Sequence, residues 1–188
     1  MVKFNLVDGS PRGISLKDSC TIAEAFASCE VDILAPSGGL ILQNGLFMLR
    51  GHVPLKEMIR AQSSFLKRIA LLVFGPFLIP PIDFRESFFK SAALCVLRTI
   101  AKYNLEHKKS VIVCLLGGIH SMDALNSALL SGFPLVQMGR ALLYDSDLPH
   151  SWLDQSSNNA ELTTNCTKCN QCIVDATMNQ VPIHCVEW

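Results

Sequence analysis

Apolar and polar positions follow two rhythms along this chain. Mainly apolar runs at residues 31–35 (with Asp32), 111–116 and 135–138 (with Gln137) are each closed by glycine or polar residues. Such runs predict strands buried on both faces. Residues 2–5 form a shorter extended segment that leads into the turn "DGSPRG". Between these runs the period lengthens. Ile22, Ala25, Phe26 and Cys29 recur at helical spacing and predict a helix over 15–29 with that stripe buried. A second helix is predicted over 84–103, with Phe88, Leu94, Val96 and Leu97 among its core positions. A third is predicted over 121–130, where Ser121 can cap the start and Gly132 can end it. A short helix at "RALLYD" follows the last strand. The run "IALLVFGPFLIPPI" (69–82) is broken by Gly75, Pro76, Pro80 and Pro81. It is too short for a spanning helix of roughly 20 residues, and it reads as a buried loop or a hidden contact face.

Alternating strands and helices with mainly apolar strands predict an α/β fold with a parallel sheet. Strand starts near residues 2, 31, 111 and 134 give four βα units, with one enlarged connection over 39–83. Four units make half of an eight-stranded barrel, and an open doubly wound sheet explains the same spacing. Polar or glycine-rich residues stand where each strand ends: Asn5, Ser37-Gly38-Gly39, Gly117-Gly118 and Gly139-Arg140. That edge carries the ligand site in parallel α/β folds. Glycine lacks a Cβ, so a ligand can reach the main chain at "LGGI" and "MGRALL". Helices starting just afterwards would aim N–H groups at the same place, and Arg140 adds a planar fork for phosphate oxygens. Gly117, Gly118, Gly139 and Arg140 are therefore the candidate phosphate cradle.

Composition narrows the partners. Sixteen basic residues balance sixteen acidic ones, so nothing in the charge calls for nucleic acid or a membrane surface. The 49% apolar content is high, and it implies doubly buried strands, a membrane contact or a surface meant to be covered by another chain. No signal peptide is evident, so a cytoplasmic location with reduced thiols is expected. Eight cysteines are present. Cys20, Cys29, Cys95 and Cys114 fall at apolar positions and are expected to be buried packing residues. Cys166, Cys169, Cys172 and Cys185 form C-x2-C-x2-C-x12-C. Three readings of that cluster stand open: a structural tail, a zinc site or an iron–sulfur site.

Taken in order, "VKFNLVDG", "VDILAPSGG", "LLGGIHS", "VQMGRALLYDSDLP" and "CTKCNQC" resemble the C-terminal half of the old yellow enzyme family. The resemblance implies strands five to eight of a (β/α)8, or TIM, barrel over 1–150, with the 39–83 connection after strand six. A cysteine-containing tail covers 151–188. It implies an FMN-binding NAD(P)H:flavin oxidoreductase that passes hydride to an activated alkene or a similar small-molecule acceptor. FMN phosphate would be held at Gly117, Gly118, Gly139 and Arg140. Lys3 falls where the family places a basic residue near the N1/O2 edge of the flavin.

The family's first four strands, which carry its substrate-holding histidines and tyrosine, have no counterpart before Met1. No catalytic residue is therefore assigned. His52, His107, His120, His150 and His184 read as surface or satisfied histidines, and Arg50 and Lys56 as solvated. The enlarged connection is expected to cover the cofactor mouth. The alternative expectation is a non-catalytic half-barrel, binding phosphate or a partner, that needs a partner chain or a second copy for completion.

Overall fold

The computed structural model of the chain describes residues 1–8, 10, 12–39, 50–154 and 162–187. Four parallel strands form one sheet in the order β1 (Val2–Val7), β2 (Ile33–Gly38), β3 (Ile112–Leu116), β4 (Leu135–Gln137). Register is fixed by pairs such as Lys3 with Ala35, Leu34 with Val113, and Leu115 with Val136. Every strand is followed by helical structure, as the alternation predicts. The observed fold is an α/β chain with a four-stranded parallel sheet.

Two helices cover one region of the sheet. Helix α1 (Leu16–Ser28) starts at a capping box in which Ser15 and Asp18 bond each other's backbone N–H groups. Helix α4 (Lys90–His107) packs against it. The buried stripe of α1 is Ser19, Ala23 and Ala27, whereas Ala25 and Cys29 are exposed. The expected stripe is thus rotated. Close helix–sheet contact selects small side chains, and the Ser19 hydroxyl donates to Leu6 O at the end of β1. Val96 is buried on α4 as expected, together with Phe89, Ala93 and Ile100. Leu6, Leu34, Leu115 and Phe133 complete the centre of the core, each contributing roughly 1.5–3 kcal/mol by burial.

The enlarged connection carries α2 (Leu55–Arg60) and α3 (Phe65–Leu78), while residues 40–49 lie outside the described residues. The 69–82 run is largely helical, not a loop. Pro76 sits in the last turn, so the one helical hydrogen bond it removes lies at the helix end and the interior is left intact, and Gly75 is buried against Leu55 of α2. Beyond β3 come α5 (Met122–Leu130), then α6 (Arg140–Tyr144) after β4, α7 (Leu148–Leu153) and, in the tail, α8 (Gln171–Met178). No helix among the described residues is long and apolar enough to cross a membrane.

Candidate functional site

Lys3, Gly117, Gly118, Gly139 and Arg140 all line a single cavity of about 330 Å³. Gly117-Gly118 follow β3 directly, and Gly139-Arg140 follow β4, so the paired strands bring the two segments side by side. Lys3 enters from β1. Lys168, from the tail, adds a third cation, and no carboxylate stands among the described lining residues. The walls are otherwise mostly apolar, with Phe84, Phe88, Ile119 and Met138. The volume lies at the small end of ligand pockets, enough for the anionic part of a larger molecule.

The three glycines differ in what they permit. At Gly139 a Cβ would meet nothing within 4 Å, so the main chain there is open to the cavity. Gly117 and Gly118 have φ of +108° and +77°, a region that disfavours side chains. Added Cβ atoms would also strike Phe89 at 2.7 Å and Phe88 at 2.7 Å, respectively. The Gly-Gly pair is therefore required by the local turn and by the two phenylalanine rings as much as by any ligand.

The expected help from helix starts is smaller than the sequence implies. Helix α5 begins beyond Ile119 and His120, and its first donors are taken: Met122 N–H by Leu162 O at 2.8 Å, Ala124 N–H by Ser121 Oγ at 3.0 Å. Helix α6 has only five residues, so its dipole is slight. Positive charge in the site comes from side chains.

Arg140 is half-buried and held from behind. Its Nη1 donates to Arg50 O at 2.9 Å and to Asn170 Oδ1. Burial pushes its pKa below the ordinary guanidinium value, and the nearby sulfurs of Cys166, Cys172 and Cys169 oppose that shift. Asn170 is 2% exposed and adopts the left-handed φ of 62°, which asparagine tolerates. Its Nδ2 donates to His52 O at 2.9 Å, and His52 N–H donates to Lys168 O at 3.1 Å. Gly51 permits this seam, since a Cβ there would lie 2.6 Å from Lys168 O. The tail thus docks on the enlarged connection and supplies Cys166, Lys168, Ile173 and Ile183 to the cavity.

Arg50 departs from its sequence reading, while His120 fits its reading as a satisfied histidine and also lines the cavity. Arg50 is not solvated: it lies over the Phe88 ring at 4.3 Å, and burial, then Arg85, lowers its pKa. His120 lines the cavity, with a ring nitrogen 2.9 Å from Cys166 O and its ring edge-on to Phe84. Burial chiefly lowers its pKa below the ordinary histidine value, so the ring is neutral at pH 7. Its place two residues after Gly118 was a usable signal. The positions of Lys168, Ile173 and Ile183 carried none. The other four histidines and Lys56 are exposed.

The cysteines also divide differently. Of Cys20, Cys29, Cys95 and Cys114 only Cys114 is buried; Cys29 is exposed and the other two are half-buried. They sit on helix flanks beside the small-residue stripes, not within them. Cys172 is buried on α8, and burial followed by Cys169 raises its thiol pKa, with Cys166 and Cys185 adding to the rise. Among the described residues, no group of three or more His, Cys, Asp or Glu side chains is arranged to hold a metal ion.

No protein-family model matches the chain, and no solved structure matches it. The chain is 34% identical over 176 residues to the 4,4'-dithiodibutanoate disulfide reductase of Rhodococcus erythropolis. That similarity takes in 93% of this chain and 41% of the relative, so the chain spans about two fifths of the length of the curated oxidoreductase it matches.

Proposed function

We propose that the cavity binds the phosphate of FMN and that the chain is the second half of an FMN-dependent NAD(P)H oxidoreductase of old yellow enzyme type. The observation that carries this reading is the convergence of Lys3, Arg140 and Lys168 on one cavity without a carboxylate in its described lining. Open main chain at Gly139 gives an anion room to approach, and the relative's name is that of an oxidoreductase. Gly139 and Arg140 would hold the phosphate, with Gly117 and Gly118 behind it, while Lys3 would offer positive charge to the pyrimidine edge of the ring. When bound, FMN supplies a ring that takes hydride from NAD(P)H and gives it to an acceptor, an activated alkene or, following the relative's name, an organic disulfide.

A few charge-assisted hydrogen bonds of this kind give a net of about 5 kcal/mol, or a Kd on the order of 0.2 mM. Flavin fluorescence during an FMN titration should show saturable binding in that range. Arg140→Ala should weaken it about tenfold or more. Gly139→Val, which puts a side chain into the open space, should do the same. No saturation up to millimolar FMN, or binding indifferent to Gly139→Val, would overturn the assignment.

A second reading is a half-barrel that works only beside a partner chain or second copy. It is favoured by the exposed apolar face of α3 and by a sheet whose outer strands, β1 and β4, each pair on one side among the described residues. FMN binding without turnover of NAD(P)H would select it.

A further inference from the structure

The contact between α1 and α4 places two thiols from distant parts of the chain together. Cys20 Sγ and Cys95 Sγ are 3.2 Å apart, 75 positions apart in sequence. A disulfide bond is about 2.05 Å long, so the sulfurs need to close by roughly 1.2 Å. The two helices pack against each other, with Ala23 and Ala27 buried on α1 and Ala93, Val96 and Ile100 buried on α4. Both cysteines are half-buried, which leaves them within reach of a small reagent. We propose that Cys20 and Cys95 form a dithiol site that reacts with small organic disulfides and closes into an internal disulfide clamping α1 to α4.

The chemistry balances with an organic disulfide, RSSR, as oxidant. One cysteine thiolate attacks an RSSR sulfur, forms a mixed disulfide and expels one RS⁻, which takes up the proton the thiol released. The second cysteine thiolate attacks the protein sulfur of that mixed disulfide. It expels the second RS⁻, which is protonated in turn. Two thiols become one disulfide, and RSSR becomes two RSH. The site lies apart from the cation-lined cavity and does not rest on the flavin reading. Burial chiefly raises the Cys20 thiol pKa, with Cys95 and Glu24 adding to the rise and Thr99 opposing it. Reaction at neutral pH is therefore slower than for an unburied thiol.

The test incubates the full chain with excess 2-hydroxyethyl disulfide, a neutral probe, and maps its peptides by mass spectrometry without reduction. The expected result is a peptide pair joined through Cys20 and Cys95, lost on adding dithiothreitol and absent in both Cys20→Ser and Cys95→Ser. In each variant the remaining cysteine should instead carry the probe's half as a mixed disulfide. The oxidised wild-type chain should melt about 5 °C or more above the reduced chain. The wild-type map is decisive even if a variant folds poorly. Probe adducts on exposed Cys29 without a Cys20–Cys95 link would overturn the proposal, as would linkage of either cysteine to the tail cysteines.

Discussion

Asn170 shows how one side chain can hold a site that it does not line. Its amide accepts from Arg140 Nη1, donates to His52 O at 2.9 Å and reaches Arg50 O at 3.4 Å. Replacing it by alanine removes these bonds from a fully enclosed position and puts a Cβ-bearing residue with no local hydrogen bonding at φ 62°. The expected cost is about 3 kcal/mol, a fall in Tm of about 6 °C or more. Asn170→Gly loses the same bonds but relaxes the backbone, so it should fall by less. Thermal unfolding followed by circular dichroism decides, and an alanine variant that melts like the parent would sink the account. At this scale the sequence was legible where a residue acts through its own backbone. Gly139 and the Gly117-Gly118 pair could be named from their places after apolar strands. The partners of Arg140 could not, because they come from residues 50 and 170, and no local pattern reports a contact across that distance.

Helix α5 is the element whose ends were plainest in sequence. Ser121 Oγ accepts from Ala124 N–H at 3.0 Å and donates to Glu86 Oε2 at 2.9 Å, and Gly132 turns the chain at φ +95°. Ser121→Ala removes a cap and strips the Glu86 carboxylate of a donor. It should cost about 1–2 kcal/mol, and Ser121→Thr, which keeps the hydroxyl, should restore most of that. Chemical denaturation of the two variants against the parent measures it; equal midpoints for all three would refute the cap. The other elements were legible in proportion to how closely their buried face followed hydrophobicity. The strands did. Helix α1 did not, because its packed face is Ser19, Ala23 and Ala27 while larger Ile22 and Phe26 sit at the margin. Helix α3 was hidden by Gly75 and Pro76, residues that read as helix breakers, yet both fall in its last four residues and leave the preceding turns intact.

For the molecule as a whole, the parallel pairing of β3 and β4 explains why residues 117 and 139 meet, since both strand ends face one way, while Lys3 reaches the cavity from within β1 and Lys168 from the tail. The fold also leaves apolar surface unspent. Phe65, Leu66, Leu72, Phe77 and Leu78 on α3 are 73, 77, 66, 84 and 69% exposed. The run 69–82 reads in sequence as a buried loop or a hidden contact face; it is neither a loop nor buried, but largely a helix with exposed apolar side chains. Apolar surface displayed along one helix drives association between copies once the chain is concentrated. Phe77→Glu combined with Leu66→Glu should therefore lower the concentration-dependent light scattering of the purified chain severalfold. Because both side chains are largely solvated, the double variant should keep its helical content and its Tm. Scattering unchanged by two added charges would show that association arises elsewhere, with the outer strands β1 and β4 the next place to look, since unpaired backbone N–H and C=O groups recruit strands without any help from side chains.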